Sequence, residues 1–236
     1  MNMRKLAVIS SGTKGIGRAT VEKFYHAGFD IATCARNHED LLDLKSLLEE
    51  DGLGTVHVRA TDMSKKDQVL AFAKFVSDLK QPVDVLFNNT GVFIPGAVHE
   101  EEEGNLEQMI ETNLYSAYYL TRALIDHMKD REDGYIFTMG SIAGIQSYAN
   151  GGSYSISKFA LHGFTKALRE EMKPHGIRVT SILAGATFTA SWEGIDLPEE
   201  RFMKSTDVAD TIFNTYSLSK NTVVEEILLR PQLGDI

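Results

Sequence analysis

The sequence predicts a doubly wound α/β domain with a parallel sheet of about seven strands. Short β-rich apolar runs alternate with longer segments of helical periodicity along nearly the whole chain. No Pro/Ser-rich linker or internal repeat divides the 236 residues, so 1–236 reads as one domain. With 43% hydrophobic and 24% charged residues the balance is that of a globular chain able to bury a sizeable core.

The first strand is Leu6–Ser10, which runs into a polar turn. The residues before it are basic, but Leu6-Ala7-Val8-Ile9 is too short for a signal-peptide core. A helix is expected over Gly15–Ala27, then strand Ile31–Ala35, helix Glu39–Glu50, strand Val56–Arg59, helix Lys65–Leu79 and strand Val83–Asn88. One long helix from about Asn105 to Lys129 leads to strand Tyr135–Met139. Helix Tyr154–Met172, strand Val179–Leu183, helix Thr206–Ser219 and strand Glu226–Leu229 complete the series. Phe188–Lys204, containing Trp192, Gly194 and Pro198, has no clear period and is expected to cover a pocket as a loop. The carboxylate run Glu100–Glu103 reads as a solvated loop or helix entrance.

Composition excludes several classes of function. Twenty-four basic against 33 acidic residues give a net charge of −9 with no dense Lys/Arg block, so nucleic acid is not an expected partner. No apolar run reaches the length of a membrane span. Cys34, the single cysteine, can form neither an internal disulfide nor a cysteine-based zinc site, which suits a reducing compartment and makes the cytoplasm the expected location. The histidines show no metal-ligand spacing, and no metal is expected.

Chemistry enters directly after the first strand, in Ser10-Ser11-Gly12-Thr13-Lys14-Gly15-Ile16-Gly17. Backbone without Cβ atoms can approach a pyrophosphate closely, and the next helix offers free N–H groups and a positive dipole end to it. Strand, turn and helix stand in the order a dinucleotide site requires. Arg36 directly follows the second strand, where an acidic residue would bond a ribose 2′-hydroxyl, and Lys14 adds a second cation, so the charge favours NADP(H) over NAD(H). Either cation alone reads equally as a solvated surface residue.

These residues and those that follow make the chain resemble the short-chain dehydrogenase/reductase family over nearly its whole length, which implies a Rossmann-type fold. The family's glycine turn maps onto Ser10 to Gly17, with Ser11 where the first glycine usually stands and Gly12 expected to absorb the unusual dihedrals. The resemblance implies cofactor contacts from Ser11, Gly12, Thr13, Lys14, Gly15, Ile16 and Gly17. Asp62 stands where the family contacts adenine, although from the bare sequence it reads equally as part of a helix start with Ser64 and Asp67. Asn88-Asn89-Thr90-Gly91 is similar to the family's Asn-Asn-Ala-Gly element, making Asn88, Thr90 and Gly91 further expected contacts. The strand from Val179 runs into a turn in which Ala184 takes the place of proline, and Gly185, Thr187 and Thr189 are expected beside the nicotinamide.

Asn113, Ser141, Tyr154 and Lys158 match the family's catalytic group. Four residues apart on a helix, Tyr154 and Lys158 share one face. The cation, joined by an oxidised nicotinamide, is expected to lower the pKa of the phenol, which then exchanges a proton with a carbonyl or alcohol oxygen that Ser141 also hydrogen-bonds. The resemblance assigns Lys158 to the nicotinamide ribose as well, and Asn113 to a proton relay; from the sequence alone Asn113 is a mid-helix polar residue that needs a partner. Tyr216–Lys220 repeats the spacing without a serine element before it and reads as coincidence.

The expected activity is NADP(H)-dependent hydride transfer between nicotinamide and a carbonyl/alcohol pair, in the direction of ketone reduction. Within the family, the ending from Leu228 to Ile236 is most similar to bacterial sepiapterin-reductase-like members, with 3-oxoacyl-(acyl-carrier-protein)-reductase-like ones close behind. A non-catalytic NADPH sensor is the alternative from another class. Phe93, Ile142, Ile145, Tyr148, Phe188 and Trp192 read as an apolar or aromatic pocket for a small carbonyl substrate, or as core. The resemblance also implies a homodimer or homotetramer paired through the helices Asn105–Lys129 and Tyr154–Met172.

Overall fold

In the computed structural model, residues 4–189 and 197–236 are described. Seven strands form one sheet: β1 (Leu6–Ser10), β2 (Asp30–Ala35), β3 (Val56–Ala60), β4 (Val83–Asn88), β5 (Gly134–Met139), β6 (Ile177–Ala184) and β7 (Glu226–Leu229). Their spatial order is β3-β2-β1-β4-β5-β6-β7, and every pairing is parallel. β1 has β2 on one side and β4 on the other, with Ala7 opposite Ile31 and Val85. The chain therefore changes direction across the sheet after β3, and a crevice opens at the carboxyl ends of β1 and β4, the topological switch point of such sheets.

The helices are α1 (Gly15–His26), α2 (His38–Glu49), α3 (Lys66–Asp78), α4 (Asn105–Ile110), α5 (Ser116–Lys129), α6 (Gly152–Met172) and α7 (Ser205–Tyr216). Because strand side chains alternate, β1 feeds two cores. Ala7 and Ile9 meet Phe24 of α1 and Val208 and Ile212 of α7, whereas Leu6 and Val8 meet Phe72 of α3, Leu124 of α5 and Leu168 of α6. β1 and β5 are buried at every position. That two-sided burial explains why they read as continuous apolar runs.

The strands fall within a residue or two of their expected bounds. The long helix does not run through as one: between α4 and α5 lies a π-helical turn, Glu111–Tyr115, in which the buried Asn113 makes its hydrogen bonds. A π-turn accommodates one extra residue per turn and often marks a functional site. Asp62, rather than Ser64, organises the entry to α3, its carboxylate accepting from the Ser64 amide at 3.0 Å and hydroxyl at 2.8 Å. α6 begins at Gly152, two residues before Tyr154. Of the loop expected to cover the pocket, Trp192 and Gly194 lie outside the described residues; Thr187 bridges to Met203, and Pro198 precedes a short 3-10 turn, Glu199–Arg201. No helix among the described residues is long and apolar enough to cross a membrane.

Candidate active site

The turn after β1 is held by a hydroxyl network. Ser11, not Gly12, takes the left-handed conformation, with φ 55°. Its hydroxyl lies 2.8 Å from that of Thr90, which in turn donates to Ser10 Oγ at 2.9 Å. Ser10 Oγ also accepts from the amides of Asn89 and Thr90 at 3.0 and 3.1 Å. Gly12 has its amide on the Cys34 carbonyl at 3.1 Å, and any Cβ there would run into Thr33 of β2. At Gly17 a Cβ would run into the Ser11 carbonyl oxygen and the Asn89 side chain, so only glycine lets α1 start so close to the turn.

Ser11, Thr13, Lys14, Gly15, Ile16 and Gly17 line a crevice of about 1400 Å3 that continues past Arg36, Asp62, Thr90 and Gly91 to Ser141, Tyr154 and Lys158, and is bounded by Gly185, Thr187 and Thr189. Two expected contacts do not line it. Gly12 is buried against β2, and Asn88 turns from the crevice to donate to Thr121 of α5 at 2.8 Å. Its neighbour Asn89 lines the crevice instead, donating from Nδ2 to the Ser10 and Ser11 carbonyls at 3.1 and 3.2 Å. The Asn-Asn doublet at the end of an alternating strand could have revealed this, because adjacent side chains point to opposite faces.

A dinucleotide fits this half of the crevice. Lys14 is the N-cap of α1 and provides no side-chain cap, leaving the first amides of a twelve-residue helix at the crevice wall. Two cations stand at that end. Lys14 lies 3.6 Å from Asp40 and is largely exposed. Arg36 is close enough to Asp62 to act on its carboxyl: burial pushes that group up, but the Ser64 hydrogen bonds and the Arg36 charge outweigh it and hold Asp62 below the ordinary carboxylate range.

Ser141 follows β5, and its Oγ accepts from the Ala143 amide at 3.1 Å, fixing the short 3-10 turn Ile142–Gly144. α6 presents Tyr154 and Lys158 to the same wall. The Ser141 hydroxyl is close enough to the Tyr154 hydroxyl to act on it, and Phe93 packs edge-on against the Tyr154 ring at 4.9 Å. Lys158 is buried and donates to the Met139 carbonyl at 2.8 Å, its Nζ 5.7 Å from the Tyr154 ring centre. In the protein alone Lys158 does not lower the phenol pKa. Burial pushes Tyr154 up to about 12 against the smaller pull of Ser141, and burial brings Lys158 down to about 8. With its ammonium directed at that carbonyl, Lys158 is held in place beside the Tyr154 ring.

Asn113 does not reach the crevice. Its Oδ1 accepts from the Val92 amide at 2.7 Å, and its Nδ2 donates to the Val92 carbonyl at 3.0 Å and to Ser157 Oγ at 2.9 Å. A Cβ on Gly91 would sit 3.3 Å from Lys158 Nζ and 3.4 Å from Asn113 Oδ1, so both groups flank this glycine. Of the expected substrate pocket, Phe93, Ile142 and Tyr148 line the crevice, Ile145 and Phe188 do not, and Trp192 lies outside the described residues. Asp235 and Ile236 complete the wall beside Gly185. These two residues belong to the ending that carries the resemblance to sepiapterin-reductase-like members, and they reach the site by folding back after β7.

Comparison with known proteins places the chain in a family. The short chain dehydrogenase family matches residues 5–200, and the chain belongs to that family. It is an oxidoreductase of the nicotinamide-dependent class. It is 29% identical to a sepiapterin reductase of Chlorobaculum tepidum, over 99% of both chains. Among solved structures it is similar to an alcohol dehydrogenase of the archaeon Thermococcus sibiricus in complex with 5-hydroxy-NADP, with a TM-score of 0.92, 26% identity and 99% of both chains covered. A metagenomic short-chain oxidoreductase in complex with NADP gives a TM-score of 0.84 at 28% identity, with 97% of both chains covered.

Proposed function

We propose that this protein reduces the carbonyl group of a small, weakly charged substrate with NADPH, Tyr154 acting as the proton donor. The observation that carries the reading is the meeting of Ser141, Tyr154 and Lys158 with the glycine turn and Arg36 in one crevice. NADPH, when bound, supplies the hydride. Ser11, Thr13, Lys14, Gly15, Ile16 and Gly17 would hold its phosphates, Arg36 the 2′-phosphate, Asp62, Thr90 and Gly91 the adenosine half, and Gly185, Thr187 and Thr189 the nicotinamide end. The NADP and 5-hydroxy-NADP complexes of the similar structures support NADP(H) over NAD(H).

A phenol with a pKa of about 12 keeps its proton at neutral pH, which is the state a reduction needs. As negative charge develops on the carbonyl oxygen, Tyr154 hands over that proton while Ser141 donates a second hydrogen bond. Lys158 holds its place through Met139 and supplies positive charge at the end of the crevice where the phenolate forms. Asn113, fixed on Val92 and Ser157, positions the Gly91 segment against Lys158.

Phe93, Ile142 and Tyr148 favour a flat ring or a diketone, in line with the sepiapterin reductase relative. The exposed Tyr115, Ile156 and Phe159 support pairing of protomers through α5 and α6 into a homodimer or homotetramer, and the single buried cysteine suits a cytoplasmic enzyme. The test is a screen of pterins, diketones and 3-oxoacyl thioesters for substrate-dependent NADPH oxidation. Turnover of a pterin or diketone supports the reading, turnover of thioesters alone would replace the substrate class, and NADPH binding without turnover of any carbonyl would favour a sensor.

A further inference from the structure

α6 carries both Tyr154 and Lys158, yet its N-terminus lacks a cap of its own: Gly151 is the N-cap residue and has no side chain to offer. The missing acceptor comes from Glu101, in the acidic run before α4. Its Oε1 accepts from the Ser153 amide at 2.7 Å, one residue before Tyr154. The approach is possible only because α6 opens with glycine, since a Cβ on Gly152 would collide with the Glu101 carboxylate and with the Gly96 carbonyl. The same stretch is tied down twice more. Gly96 donates its amide to the Asn150 carbonyl at 3.0 Å and forms a bridge with Gly151, and the Glu101 amide donates to the Ala97 carbonyl at 2.9 Å. Phe93, at the other end of this stretch, lies against the Tyr154 ring.

We propose that Glu101 is a positioning residue for Tyr154: by capping the first turn of α6 from the segment before α4, it fixes where the phenol hydroxyl stands. The carboxylate is only half-buried, while the amide it satisfies is at a buried residue, so the placed acceptor rather than the net charge carries the effect. Loss of the cap frees the turn that presents the hydroxyl, and small displacements of a proton donor lower turnover steeply. NADPH contacts at the α1 turn lie at the far end of the crevice and are unaffected.

The inference rests on Tyr154 being the proton donor, so Tyr154→Phe is measured beside Glu101→Ala, Glu101→Gln and Glu101→Asp on the full chain, with the carbonyl substrate the screen identifies and with NADPH titrated by fluorescence. Glu101→Ala is expected to lower kcat by about tenfold with the NADPH Kd unchanged within about twofold. Glu101→Gln keeps an acceptor of the same reach and should restore most of kcat, whereas Glu101→Asp keeps the charge but shortens the reach and should not. Wild-type kcat in Glu101→Ala, or rescue by Asp and not by Gln, overturns the proposal. Should the alanine variant not fold, the Gln and Asp pair decides alone. Full activity in Tyr154→Phe instead removes the underlying assignment, and is told apart because it leaves the Glu101 series without a reference donor.

Discussion

Ser11 and Thr90 place their hydroxyls 2.8 Å apart across the floor of the cofactor crevice, and each stands where the family pattern has a smaller residue. The two departures form one unit. A left-handed serine costs on the order of 1–2 kcal/mol relative to glycine, and its hydroxyl makes a hydrogen bond that glycine cannot. Ser11→Ala and Thr90→Ala should each destabilise the fold by about 1 kcal/mol in urea denaturation, and the double variant by less than their sum. Ser11→Gly should be tolerated, with NADPH affinity kept within about threefold, because strain and hydrogen bond are lost together.

Arg36 lines the crevice and is the residue proposed to meet the 2′-phosphate. Replacing it with Asp is expected to weaken NADPH by about tenfold or more, the worth of one charge-assisted hydrogen bond, while NADH changes little. Fluorescence titration of both nucleotides on one preparation reads this, and equal losses would mean that Arg36 does not meet the 2′-phosphate.

Gly17 tests the turn geometry. Its missing side chain leaves room for the Ser11 carbonyl and the Asn89 amide, and backbone cannot yield there as a flexible side chain would. Gly17→Ala should lower NADPH affinity by about tenfold or more even where the protein still folds, since the amides at the start of α1 must shift. Unchanged affinity in a folded Gly17→Ala variant would show that the turn does not bind the phosphates.

Lys158 leaves a signature in the pH dependence of stability. Burial lowers its pKa in the folded state from 10.5 to about 8, so between these values the unfolded chain binds more protons and stability rises with pH. From pH 7.5 to pH 9 the wild type should gain about 1 kcal/mol that Lys158→Met does not gain. Urea midpoints of the two proteins at the two pH values provide the comparison; parallel curves would mean that the lysine stays fully charged in the fold.

Most of the fold was legible because two-sided burial leaves a direct trace: β1, β4 and β5 are apolar runs bounded by turn residues, and α1, α2 and α3 keep a clear apolar stripe. Local periodicity could not reveal the π-turn, which accompanies hydrogen bonds from Asn113 to Val92 and Ser157, far away in sequence. The glycine turn was readable because strand, turn and helix follow in order, and the Tyr154–Lys158 pair because Ser141 precedes it directly after a strand, which Tyr216–Lys220 lacks. Three features were not. Ser11 carries the left-handed backbone expected of Gly12, since the hydroxyl network supports it there. Asn89 takes the crevice position expected of Asn88, a matter of strand parity at the last residue of β4. Glu101 sat in a run that reads as a solvated surface, and only the folded chain brings it to the start of α6.

The most direct test of the account is the turnover of Tyr154→Phe, which removes one oxygen and leaves the ring against Phe93. The assignment predicts that carbonyl reduction falls by about a hundredfold or more while NADPH affinity stays within about twofold of wild type. A variant that binds NADPH normally and keeps more than about a tenth of the wild-type rate would contradict it, because a positioned general acid contributes far more than that.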